Sequence, residues 1–416
     1  MKILIHKNVW YQLLFALCVA VPYLNIYELT FVVWSVAAAV TVRTRYSVAI
    51  LKQVACFAAI LFIGLVVLCF HDYVKYYIFR DIAYIVKPVI GLLLGYQLCK
   101  STFKNVFEMI CNTAMFIAIG HILLLVTAVI VNRAYTLNDL RLYGGYFSDF
   151  EVYALIILIF NQKFELDFSA RKRNWFLVIV GFSAFMYLAR TNFIQFVILF
   201  LAMKGYFRIT PKAVTVIASV ALLGIIGYST ILYINPKRNG PGMEAFLYKI
   251  KVAPIEPFKT KINREDWRDF NDNYRSYENI MTIREVSQSP SAVLFGKGIG
   301  SKIDLKQELL LGDMKLRFIS ILHNGFMTVY LKSGLLGVSI LIYSIYLLFK
   351  TTRSEIPIVR QINYLMVGSG VFMIISYWVF MGYYLIADTK ALLFGLLICY
   401  REMVVKHHKY AAIEND

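Results

Sequence analysis

WFLVIVGFSAFMYLARTNFIQFVILFLAM, Trp175 to Met203, decides the architecture. Read as one helix it would run about 29 residues, roughly 43 Å at 1.5 Å per residue, with Arg190 in its middle. A single crossing would put either SARKRN (Ser169–Asn174) or KGYFRITPK (Lys204–Lys212) outside the cytoplasm. Two short helices turning at LARTN (Leu188–Asn192) keep both basic stretches inside, where loop Lys and Arg accumulate. We therefore expect a hairpin with Arg190 at its tip on the outer face, recessed into the membrane. Non-helical backbone at that depth must be buried in protein or line a wet cavity.

The same reading extends to the whole chain. Of 416 residues 59% are hydrophobic and 16% charged, with mean hydropathy +0.64, which is too apolar for a soluble domain. Apolar runs near the ~20 residues needed to span a bilayer recur between short basic loops. They predict an all-α polytopic membrane protein with about twelve transmembrane helices: 8–25, 27–42, 47–70, 79–99, 105–131, 145–162, 175–189, 191–203, 213–234, 322–349, 362–386 and 389–404. Alternate loops carry the Lys and Arg, so both termini are expected in the cytoplasm. Three regions follow: helices one to nine over 1–234, a large outer loop over 235–320, and helices ten to twelve with a cytoplasmic tail over 321–416.

The cytoplasmic loops account for most of the net charge of +18, so nucleic acid is not implied. Cations in the outer loops (Arg80, Lys87, Arg133, Arg141, Arg190) run against the topological bias and point to an anionic ligand there. The six cysteines fall in or beside predicted helices with no CxxC, indicating neither a disulfide framework nor a zinc site. The first helix is expected to stay as an anchor rather than to be removed as a signal peptide.

Asn235 to Ser320 is too long for an idle connection. INPKRNGPG and VAPIEPF punctuate it with turns, and YRSYENIMTIREVSQS (Tyr274–Ser289) has helical spacing, so the insert is expected to be mostly helical. LFGKGIGSK (Leu294–Lys302) could let backbone amides approach a phosphate. It matches neither GxxxxGK[ST] nor GxGxxG and has no βαβ context, so a structural turn is the favoured reading.

Few residues have the character of chemistry. His323 opens LHNGFMTVYLKSGLLGV (Leu322–Val338), where the insert re-enters an apolar run; there it is either an interfacial cap or a base kept neutral by the positive helix N-terminus. Arg275 is a solvated charge, a partner of Glu278 at i+3, or an anion ligand. RDIAYIVKPVIGLLLGYQ (Arg80–Gln97) holds Arg80 and Lys87 seven apart on one face, either snorkelling or facing a ligand, and its Gly91-x-x-x-Gly95 reads as helix packing. Arg141, Asp149 and Glu151 form a loop ion-pair set or an entrance to a site. His121 is expected to bond a neighbouring helix, and Lys332 to lie at the bilayer edge.

YRSYENIMTIREVSQSPSAVLFGKGIG followed by LHNGFMTVYLKSGLLG resembles the O-antigen polymerase and O-antigen ligase superfamily. RLYGGYFSDFEVYALIIL is similar to its Arg-x-x-Gly entrance to a middle helix. LARTNFIQFVILF is similar to its Ser-x-Arg-Thr hairpin, with Ala189 in place of a small polar residue. The specific part covers Asn273 to Val338. The resemblance implies a fold like the C-type membrane glycosyltransferases and an inverting, metal-independent glycosyl transfer without cofactor at the outer face of a bacterial inner membrane. Its donor would be an undecaprenyl-diphosphate-linked oligosaccharide held among membrane lipids, and a chain-length regulator would be a partner protein. His323, Arg275 and Arg190 match the family's catalytic positions, with Arg80, Lys87, Arg141 and Asn324 as diphosphate or substrate ligands. Polymerase is preferred over ligase because the chain departs freely from family averages. A lipid-linked oligosaccharide flippase is the rival outside the enzymes, weakened by the long insert and the lack of an internal repeat.

Overall fold

The computed structural model describes all residues except Met1, Phe103, Asn105, Tyr146, Phe147, Ile209, Asn239, Gly242, Pro257, Phe258, Arg264, Gly312, Asp313, 351–353 and 415–416. In chain order its helices are α1 (Lys2–Ala20), α2 (Tyr27–Val40), α3 (Val48–Leu68), α4 (Lys75–Thr102), α5 (Val106–Asn132), α6 (Leu137–Gly144), α7 (Asp149–Ile159), α8 (Ala170–Met186), α9 (Arg190–Met203), α10 (Pro211–Ile234), α11 (Glu244–Val252), α12 (Trp267–Asp272), α13 (Tyr274–Val286) and α14 (Pro290–Phe295). An antiparallel hairpin follows, β1 (Ile303–Leu311) with β2 (Met314–Ile319), and then α15 (Gly325–Phe349), α16 (Pro357–Phe380) and α17 (Lys390–Glu414). The insert, expected to be mostly helical, therefore also carries one β-hairpin in a chain that is otherwise all-α.

Each of the twelve apolar stretches falls on a helix, but among the described residues six are long and apolar enough to cross a membrane: α3, α4, α5, α10, α15 and α16. The remaining six fall short of that length or hydropathy among the described residues. α7 is 11 residues long, and every residue from Asp149 to Leu158 is buried, so its apolar character all round reflects protein packing rather than lipid contact. α2 and α9 have 14 residues each, shorter than the hydrocarbon core of a bilayer demands of a straight helix.

The chain divides into two compact units, one of residues 1–62, 79–204 and 339–416, the other of 63–78 and 205–338. In the first, α9 packs on α16, and α7 packs against α5, α8 and α9. α4 and α17 approach at backbone distance: a Cβ on Gly95 would stand 1.8 Å from the Leu392 carbonyl oxygen, and one on Gly395 2.0 Å from that of Leu92. Gly91 and Gly95 thus pack helices, as their spacing predicts. Between α16 and α17 a single 3-10 turn, Gly382–Tyr384, is followed by a non-helical stretch over 385–389. Its carbonyls are met by the Lys87 ammonium, which donates to Ile386 at 2.8 Å, to Asp388 at 2.9 Å, and to Leu385.

The second unit has its own core. On α13 the i, i+4 pair Tyr277 and Met281 joins Phe270, Val286, Ile303, Leu305, Leu322 and Leu331. Ile303 and Leu305, two apart on β1, turn the same face of the strand to α13, and the Tyr277 hydroxyl donates to the Leu305 carbonyl at 2.5 Å. The register slips between Asp304 and Leu309, where Lys306 has φ 59°. Across that irregularity Arg317 holds Asp304 with two bonds of 2.9 and 3.0 Å, and these keep the partly buried Asp304 carboxyl well below the usual range.

α15 breaks at Gly334 (φ 63°, ψ −162°). A break frees carbonyls, and these are taken by LFGKGIGSK: Lys297 N–H donates to Leu331 at 2.8 Å and Gly298 N–H to Lys332 at 3.1 Å. The amides that a phosphate would need are spent on this helix, so the glycine cluster is a strap. Lys332 is fully buried in protein, and its ammonium donates to the Ser301 carbonyl at 2.5 Å.

Candidate functional site

The second unit gathers chemistry at the start of α15. Asn324 caps that helix, its Oδ1 accepting the N–H of Phe326 at 3.0 Å and of Met327 at 3.2 Å, as an amide at this position does. Thr328 Oγ1 accepts the Leu322 N–H at 3.1 Å. With the backbone fixed on both sides, the His323 ring is half exposed while its chain neighbours Leu322 and Asn324 are buried.

Glu278 faces that ring from α13. Its side chain is 2% exposed; one carboxylate oxygen accepts the His323 backbone N–H at 3.1 Å, and both lie 3.0 Å from Nδ1. A carboxylate on Nδ1 selects the neutral tautomer with its proton there, which leaves Nε2 with a lone pair on the open side of the ring. Tyr274, one turn earlier on α13, meets the imidazole edge-on with centroids 5.8 Å apart. Burial beside Glu278 raises the Tyr274 phenol well above its ordinary value, so it stays a neutral wall.

Arg275 lies in the first turn of α13, 3.5 Å from Glu256, with its side chain 30% exposed. Glu278, expected as a companion of Arg275, is bound to His323. Sequence reading alone did not pair them, because 45 residues separate the two. The available signal was a carboxylate one turn after Tyr274 on a helix whose apolar face had to pack inward.

The remaining expected site residues belong to the first unit. Arg190 is the first residue of α9, directly after a turn in which Leu188 has φ 49°, so the chain reverses within LARTN. Arg141 lies in α6, whose N-cap Thr136 accepts the Asp139 N–H at 3.1 Å. Arg80 is half-buried in the second turn of α4. Lys87 has its ammonium engaged by three carbonyls, as above, and that coordination gives it a structural task. Nearby, Lys390 is buried between Asp388 and Asp149, 2.7 Å from the latter. The sequence does not show this buried charge set, since its members come from α7, α17 and the segment between α16 and α17. His121 does bond a neighbouring helix: its Nδ1 is 2.8 Å from Ser183 Oγ, which donates to Glu151 at 2.6 Å. Comparison with protein-family models and with curated proteins finds no match for this chain.

Proposed function

We propose that the protein is a membrane glycosyltransferase, specifically a surface-polysaccharide polymerase that moves a glycan from an undecaprenyl-diphosphate carrier onto the terminal hydroxyl of a lipid-linked repeat unit. The observation that supports this most is the half-exposed His323 imidazole fixed through Nδ1 by buried Glu278 at the start of α15. An imidazole with one nitrogen fixed and the other open is arranged to accept a proton, the contribution a general base makes to transfer onto a hydroxyl.

In this reading the acceptor hydroxyl gives its proton to Nε2 as its oxygen attacks the donor's anomeric carbon. The bond to the diphosphate oxygen breaks with the electron pair leaving on phosphate, and the configuration inverts. Glu278 stabilises the imidazolium so formed, as a carboxylate behind a catalytic histidine does. The leaving diphosphate is already a stable anion, so it needs charge compensation more than a proton. Arg275 supplies this by exchanging Glu256 for phosphate oxygens in a bidentate contact. Twelve crossings, an extracytoplasmic insert and cytoplasmic termini belong to this proposal.

A strain lacking the protein tests it. Surface chains of a single repeat, restored to full length by the wild-type gene and not by the His323→Ala, Arg275→Ala double variant, are the expected result. Long polymer accumulating on the lipid carrier would assign a ligase instead, and lipid-linked repeats trapped on the cytoplasmic leaflet would assign a flippase. Ordinary chains from the double variant would refute the site.

A further inference from the structure

α13 also lines a second concavity that the transfer reading leaves unused. A cavity of about 560 Å³ is lined by Thr260, Lys261, Ile262 and Asn263 on one side and by Tyr277, Ile280, Met281 and Arg284 of α13 on the other, with Asp269 between. That volume lies within the range of small-molecule sites, about 300–1,000 Å³.

The wall is built by Asp269. Its Oδ2 accepts the Asn263 backbone N–H at 2.9 Å, while Oδ1 holds the Lys259 ammonium and accepts from Asn273 Nδ2 at 3.1 Å. One carboxylate thereby clamps both ends of the segment 259–263 over α13. The lysine at its side holds the Asp269 carboxyl below its ordinary value, and its charge is matched by Lys259. Lys261 and Arg284 have no such match: among the described residues neither has an acidic partner. The cavity is therefore cationic, with Thr260 and Asn263 as polar side chains and Ile262, Ile280 and Met281 as an apolar floor. Apolar floor, hydroxyl and amide partners and a guanidinium fork suit a sugar ring bearing an anionic substituent, the apolar groups under its C–H face and Arg284 on the acid.

Position along α13 relates this cavity to the dyad. Glu278 and Arg284 are six residues apart on one helix, about 9 Å of rise at 1.5 Å per residue and about 120° of rotation at 3.6 residues per turn, a separation of a few sugar units. We propose that this cavity is a glycan subsite that selects saccharides carrying an anionic group, a carboxylate or a phosphodiester, near the unit that reacts at His323. The assignment to a neighbouring unit rests on the transferase reading; the binding itself does not.

The test is equilibrium binding to the purified full-length protein, with no donor lipid and no turnover. The probes are a glucuronic-acid-containing tetrasaccharide, the same tetrasaccharide with its carboxyl reduced to a hydroxymethyl, and a third form carrying a phosphodiester. We expect at least one charged form to bind about tenfold or more tightly than the neutral one, consistent with charge-assisted bonds. The Lys261→Ala, Arg284→Ala double variant should erase that preference, Arg284→Lys should keep part of it, and Arg268→Ala, which removes an exposed cation outside the cavity, should leave it unchanged. Whichever charged form is preferred identifies the acid. Equal binding of neutral and charged forms by the wild type overturns the subsite, as does a preference that survives in the double variant or is lost in the Arg268 control. His323→Ala should bind all probes like the wild type. Preference with no transfer by the wild type would therefore remove the transferase reading and keep the subsite, and transfer without preference would do the reverse.

Discussion

At the residue scale the account turns on Glu278 and His323. The neutral tautomer needs an acceptor at Nδ1, and Glu278 also bonds the His323 backbone N–H, so it fixes both the ring and the chain that carries it. His323→Ala should lower transfer by about 10²–10⁴-fold, the range of a lost general base. Glu278→Gln keeps shape and an acceptor but loses the charge that stabilises imidazolium, and roughly 10–100-fold is expected. Both are read from initial rates with purified donor and acceptor glycolipids; a Glu278→Gln enzyme as fast as the wild type would show that the carboxylate only shapes the loop. His323 and Arg275 were legible in the sequence because one heads an apolar run and the other lies on a helix in a family-like motif. The bond to Glu278 was not, since only the packing of α13 on β1 and α15 brings residues 278 and 323 together. Lys87 shows the opposite limit: an interior lysine announces that it must be compensated, and its sequence cannot say whether by a ligand or by the carbonyls that meet it here.

At the scale of elements, the broken helix α15 and its strap form one device. Gly334 has φ +63°, and a Cβ there would stand 2.4 Å from the Leu294 backbone. Gly334→Ala should therefore destabilise the protein by about 3 kcal/mol or more, from a strained dihedral and a clash together. Gly224 of α10 has nothing within 4 Å of its would-be Cβ, and Gly224→Ala should be neutral or stabilising by up to about 1 kcal/mol. Unfolding midpoints in detergent compare the two, and equal effects would contradict the strap. Lys332→Met leaves the buried Ser301 carbonyl without its donor and should cost about 1–3 kcal/mol in the same measurement. In the insert, the lowered Asp269 pKa gives a pH signature. A carboxyl depressed in the folded state contributes stability above its unfolded pKa, and that contribution fades as pH falls through the folded value. Hydrogen exchange across 259–273 should accelerate below about pH 4 in the wild type, and Asp269→Asn should be fast already at neutral pH. The Pro and Gly punctuation of the insert marks turns without saying whether helices or strands flank them, so it does not reveal the hairpin. IDLKQELLL and MKLRFI flank Gly312-Asp313, a short turn signal between two strand-like runs; those two turn residues lie outside the described ones.

For the whole molecule, the apolar runs made the helices legible, each of the twelve falling on one. They did not separate helices that face lipid from those buried in protein, because both are apolar for different reasons. The proposed topology makes a direct prediction about sidedness. Cys69 is exposed and the other five cysteines are buried, so a membrane-impermeant maleimide applied to intact spheroplasts should label the wild type and not Cys69→Ser. In that Cys69→Ser background, Lys306→Cys should react from outside, while Lys163→Cys should react only after permeabilisation. Reversed labelling would place the insert in the cytoplasm and remove the transferase reading with it.

The most direct measurement is elongation by the purified protein in liposomes, supplied with undecaprenyl-diphosphate-linked repeat units and followed by mass spectrometry. The account predicts a ladder of products each longer by one repeat, formed by the wild type and lost by at least a hundredfold in His323→Ala. Single-repeat lipids that stay unchanged with folded wild-type protein, or a ladder from His323→Ala equal to the wild type, would contradict it.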